Sequence, residues 1–107
     1  MPIINIKFDS DILNNEDILI LSNAIQKIVK EITSIDDVCV YADSPKIKVG
    51  IAPVEIFVEI GAGLVENKEE LILKIKNALS EWKKSSKFNH LINLSLVLMN
   101  WKVEIGI

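Results

Sequence analysis

Residues 2–8 alternate, with Ile4, Ile6 and Phe8 on one side and Ile3, Asn5 and Lys7 on the other, which predicts a strand. Residues 9–15 are turn-forming. Asn14 or Asn15 suits a helix N-cap, and Glu16 and Asp17 suit the positive first turn behind it. Ile18, Leu21, Ile25, Ile28, Val29 and Ile32 then recur at helical spacing, and the helix is expected to end near Thr33 and Ser34. Val38, Val40 and Ala42 alternate with Asp37, Cys39 and Tyr41, a second strand. A turn at residues 43–46 leads into a link over 46–52, read as partly extended. The pattern then repeats. Residues 53–60 form another proline-led strand, broken by Gly61, Ala62 and Gly63. A helix starts at about Asn67, its stripe being Leu71, Ile72, Ile75, Ala78, Leu79 and Trp82. Residues 83–90 read as polar. Ile92, Leu94, Leu96 and Leu98 alternate with Asn93, Ser95, Val97 and Met99 as a fourth strand, and the tail 101–107 alternates as well.

The chain therefore reads β-α-β, link, β-α-β, with Pro2 and Pro53 in matching places. A strand-to-strand path through a helix favours parallel, right-handed pairing within each half. The expected fold is α+β: two β-α-β units form a four-stranded mixed sheet with two helices on one face, plus a short C-terminal edge strand. It occupies residues 1–107 as one domain with pseudo-repeats at about 2–43 and 53–99. The other sheet face is left bare and calls for a partner, and the alternating tail suits addition to a neighbour's sheet. A ferredoxin-like domain shares this order of elements, and periodicity alone does not separate the two.

Half of the residues are hydrophobic. For 107 residues that surplus suggests burial against other subunits. No apolar run reaches the roughly 18 residues needed to cross a bilayer, and no signal peptide is visible. The single cysteine, Cys39, fits a reducing compartment, so a cytoplasmic location is expected. A net charge of -3 gives no footprint for nucleic acid. All twelve basic residues are lysines. Without arginine a bidentate clamp on a carboxylate is not possible, so an anion site must use lysine, backbone N–H groups or a helix N-terminus. His90 stands alone in a polar stretch, and no metal constellation accompanies it.

The candidate chemistry lies at the start. If Met1 is removed, Pro2 presents a secondary amine fixed at the head of a core strand. A retained Met1 would tie that nitrogen into an amide. Apolar enclosure lowers an amine's pKa from its reference near 8, toward the range useful to a base at neutral pH. Against this, Pro2 is also simply a good strand opener, since its missing N–H costs nothing there.

Pro2-Ile3-Ile4 at the start, Glu59-Ile60-Gly61-Ala62-Gly63 after strand three, and Met99-Asn100 before the tail, set in two β-α-β units, resemble the tautomerase superfamily. That superfamily includes macrophage migration inhibitory factor and 5-carboxymethyl-2-hydroxymuconate isomerase. The resemblance implies a homotrimer whose sheets face inward as a barrel. It also implies a cofactor-independent isomerase in which Pro2 shuttles a proton within an enol–keto small carbonyl acid. By chain position it places Ile60, Asn93 and Ser95 in the substrate site. Gly61, with Ala62 and Gly63, offers N–H donors to a developing enolate or else only makes a tight turn. Lys46, Lys48 or Lys102 is left to hold a substrate carboxylate. Around the end of the first helix, Glu31, Thr33, Asp36 and Asp37 depart from the family's cationic pattern. A non-catalytic oligomer of the same fold and a ferredoxin-like small-molecule-binding domain stand as alternatives.

Overall fold

Each half of the chain folds as a β-α-β unit in the computed structural model, which describes residues 1–107. The first unit is β1 (Ile3–Phe8), α1 (Asn15–Thr33) and β2 (Cys39–Asp43). The second is β3 (Val54–Gly61), α2 (Lys68–Ser86) and β4 (Ile92–Met99), with a 3₁₀ turn (Ala62–Leu64) directly after β3. The sheet order is β2-β1-β3-β4. β1 pairs in parallel with β2, β3 in parallel with β4, and β1 joins β3 antiparallel. The ferredoxin-like alternative separates the strands of each β-α-β unit by another strand. Here they are direct neighbours, so that reading is excluded.

The helices start and stop where local chemistry dictates. Asn14 Oδ1 accepts the Asp17 N–H at 2.8 Å, and Asn67 Oδ1 accepts the Glu70 N–H at 3.0 Å. Each bond satisfies one donor that a helix start leaves without a partner. Both helices end in a left-handed residue, Ser34 at φ 58° and Lys87 at φ 59°. α2 runs four residues past Trp82, through a stretch read from sequence as polar. Its apolar stripe stops there, but Lys83 and Lys84 favour the negative end of a helix.

One layer of core forms between the helices and one sheet face. Ile18, Leu21, Ile25 and Val29 of α1 and Ile75 and Leu79 of α2 are buried against Ile4, Ile6, Phe8, Val54, Ile56 and Val58. Burying each large aliphatic side chain contributes about 2 kcal/mol. The opposite face is uncovered, as alternation requires. It carries Ile3, Phe57 and Val97 among Asn5, Lys7, Glu55, Glu59, Asn93 and Ser95. On it Asn5 donates to Glu59, and Lys7 pairs with Asp43 at 2.8 Å. The C-terminal edge strand expected over 101–107 is not formed within the protomer: the ladder ends at Met99, and residues 100–107 have no regular structure. The tail runs on from β4 without pairing to either open edge of its own sheet, β2 or β4.

Candidate functional site

Pro2 immediately precedes the central strand β1 and is fully buried. Its carbonyl accepts the Cys39 N–H at 3.2 Å, which ties it to the start of β2. Ile3 stands opposite Glu59 on β3, so the next step of the register sets Pro2 level with Ile60 and Met1 level with Gly61. This end of the sheet thus gathers the start of β1, the start of β2 and the far ends of β3 and β4.

A cleft of about 360 Å³ opens there. It is lined by the 61–64 turn, by Met99, Asn100, Trp101, Lys102 and Glu104, and by Met1. Met1 is half-buried, with its Sδ 3.6 Å from the Cys39 Sγ.

Neither glycine of the turn is required by strain. Gly61 has φ -61°, and a Cβ built on it would meet only Leu64 Cδ1 at 4.0 Å. A Cβ at Gly63 would meet nothing within 4 Å. Both glycines line the cleft. The chain does turn tightly here, in the 3₁₀ turn Ala62–Leu64, but glycine is not sterically needed for it.

The remaining residues singled out from the sequence are not gathered here. Ile60 is buried, and its side chain borders a second cleft on the helix side, with Thr33, Glu66, Glu70 and Lys74. Only its backbone can serve the Pro2 end. Asn93 lies opposite Glu55, and Ser95 opposite Phe57. Those levels are five and three residues along β4 from Leu98, which pairs with Ile60. At about 3.3 Å per residue, the separations are about 16 and 10 Å. The β4 residues of the uncovered face nearest Pro2 are instead Val97 and Met99.

Lys46 and Lys48 stand at the opposite end of β1. Lys48 Nζ bonds Asp9 Oδ1 at 2.7 Å and Asp11 Oδ2 at 3.0 Å, and so pins the link to the turn after β1. The Lys48 hydrogen bond holds the Asp9 carboxyl below its ordinary 3.8, helped by the Asp11 N–H. Asp9, and then Asp11, raise Lys48 above its ordinary 10.5. Lys46 is exposed in the same link.

The cation that does border the cleft is Lys102, the only lysine among its lining residues. Its Nζ is 3.4 Å from Glu104 Oε2. From the sequence it was one of three open choices, and only the fold separates it from the other two. Met1, Leu64 and Trp101 also line the cleft, and no periodicity signals such a role. No group of three or more His, Cys, Asp or Glu side chains is placed to hold a metal ion. No helix is long and apolar enough to cross a membrane.

No family model matches the chain, and no curated protein matches it by sequence. Solved structures do match. A 5-carboxymethyl-2-hydroxymuconate delta-isomerase aligns with a TM-score of 0.65 at 12% identity, over 99% of this chain and 89% of that one. A macrophage migration inhibitory factor-like protein from Entamoeba histolytica aligns at 0.59 and 18%, over 96% and 95%. A fused 4-OT, solved as a symmetric trimer, aligns at 0.64 and 16%, over 98% and 90%. At these identities the likeness is one of architecture, and the architecture of this chain is the tautomerase fold.

Proposed function

We propose that this chain is a cofactor-independent tautomerase or isomerase of small enol–keto carbonyl acids, with Pro2 as its general base. The observation that carries the reading is the burial of Pro2 at the head of the central strand, joined in the chain to Met1, which lines the cleft. Once Met1 is removed, a secondary amine faces the cleft. Its apolar surroundings disfavour the cation and lower its pKa from the reference near 8. On an enol acid, the amine takes the hydroxyl proton and returns it, as the ammonium, to the adjacent carbon, leaving the 2-oxo acid and a neutral amine. Residues 61–63 line the cleft, and their backbone N–H groups, Gly61 foremost, are the donors proposed for the negative charge on the enolate oxygen. The uncovered sheet face and the trimeric 4-OT relative support a homotrimer. In it, Asn93 and Ser95 line the shared interior rather than the cleft of their own chain.

Phenylenolpyruvate tests the base. Chain whose intact mass shows Met1 removed is expected to speed ketonisation, and Pro2→Ala to lose a factor of about 100 or more. The rate of the active protein falls as acid protonates the amine. Equal rates for the two proteins would end this reading. A non-catalytic assembly is the second reading, and the absence of arginine together with the acidic Glu31, Asp36 and Asp37 favours it. Native chain found entirely with Met1 in place establishes that alternative.

A further inference from the structure

The geometry points to Lys102 as the site that receives the ligand's single carboxylate, with Glu104 of the same tail holding that place until the ligand arrives. This rests on the 360 Å³ cleft being the substrate site. Several observations carry it. Lys102 is the one lysine on the cleft wall, there is no arginine in the chain, and Lys48 is already committed to two carboxylates at the other end of β1.

The only partner of Lys102 is Glu104, two residues away, at 3.4 Å. That contact is looser than the pairs Lys48–Asp9 at 2.7 Å, Lys7–Asp43 at 2.8 Å and Lys74–Glu70 at 3.0 Å. Glu104 is also more than half exposed, so water takes over its carboxylate on release. Exchange of Glu104 for a ligand carboxylate therefore trades one ion pair for another at little desolvation cost.

The rest of the cleft decides the ligand's body. Met1, Leu64, Met99 and Trp101 give it an apolar wall, and its volume lies near the lower end of the range for small-molecule sites. A second carboxylate would find no second cation and would face Glu104. The ligand class is thus a monocarboxylate with a flat or apolar body, not a dicarboxylate.

Binding of non-reacting probes tests this without turnover. The full chain is titrated with 3-phenylpropanoate, 3-phenylpropanamide and phenylsuccinate, and the Trp101 indole N–H signal is followed by NMR. Wild type is expected to bind the monocarboxylate about tenfold more tightly than its amide, the difference made by a hydrogen bond to a charged group. Phenylsuccinate is expected to bind more weakly than 3-phenylpropanoate. Lys102→Met is expected to remove the preference for carboxylate over amide. Glu104→Gln, by freeing Lys102, is expected to tighten 3-phenylpropanoate about threefold, the scale of an exposed ion pair. Both substitutions lie in a tail outside the core, so folding is not at stake. Equal binding of acid and amide by wild type, or a Glu104→Gln protein that binds the acid no better, overturns the proposal. Neither outcome touches the role of Pro2, because none of the probes is an enol. Conversely, a Pro2→Ala protein with full activity leaves these titrations intact.

Discussion

Asp9 and Lys48 show how much one pair of side chains can hold in place. Both are about four-fifths shielded from water, at 19% and 18% exposure, and their 2.7 Å bond fastens an otherwise irregular link across the end of β1. The Lys48 hydrogen bond depresses the Asp9 carboxyl below 3.8, so the pair's contribution is present above that value and is lost as pH falls through the folded-state pKa. Lys48, raised above 10.5 by Asp9 and Asp11, gives the complementary edge: its contribution is complete below 10.5 and is lost as pH rises through the raised value. Asp9→Asn is therefore expected to melt below wild type between about pH 5 and 9, with the gap closing under strong acid. Thermal melts across that range decide it, and a gap that persists unchanged well below pH 3 would discard the assignment. The pair was not legible beforehand, because Lys48 and Asp9 lie 39 residues apart and a periodicity has no way to join them. The same blindness left Lys46, Lys48 and Lys102 equivalent as cations for an acid. The place of Pro2 at the head of a core strand was legible because it follows from chain position rather than from a distant contact.

At the level of the elements, stop signals are where this sequence gives up stability. α1 and α2 both end in a left-handed residue that is not glycine, Ser34 at φ 58° and Lys87 at φ 59°. A side chain in that conformation costs about 1 kcal/mol or more against glycine, part of which the unfolded chain recovers. Ser34→Gly and Lys87→Gly are each expected to raise unfolding stability by about 0.5 kcal/mol in urea melts. Gly50 is the opposite case, at φ 66° with open space around it, and Gly50→Ala is expected to lose about 1 kcal/mol through backbone strain alone. Identical midpoints for all three proteins would refute the conformational argument. Both helix starts could be read from Asn14 and Asn67, since an N-cap announces itself by residue type. The end of α1 was read at Thr33 and Ser34, where it lies, but the end of α2 was less visible. Lysine favours the last turn of a helix and also belongs in loops, so residues 83–86 carried no signal that distinguished helix from link.

For the whole molecule, the unresolved physical question is what covers its apolar surface. The core lies entirely on one side of the sheet. Outside it, the most exposed large hydrophobic side chains lie in the link and the tail: Ile47 and Val49 in the first, and Trp101, Ile105 and Ile107 in the second, with Val103 between them. The tail residues recur at every second position, a strand pattern in a segment that is not a strand here. Both sheet edges, β2 and β4, are free to accept such a segment. The alternation was readable in the sequence, but the tail pairs with no strand of its own protomer. In the proposed trimer a neighbouring subunit's sheet edge takes it. In solution the protein is expected to sediment at three times its 12.0 kDa, with backbone amides of residues 101–107 protected from exchange. Val103→Lys combined with Ile105→Lys places two charges on the apolar side of that segment and is expected to shift the mass toward 12.0 kDa, while the helices, which the tail does not touch in the core, keep their circular dichroism. A wild-type protein that remains at 12.0 kDa at every concentration, with a freely exchanging tail, would show that the apolar surplus serves something other than self-assembly.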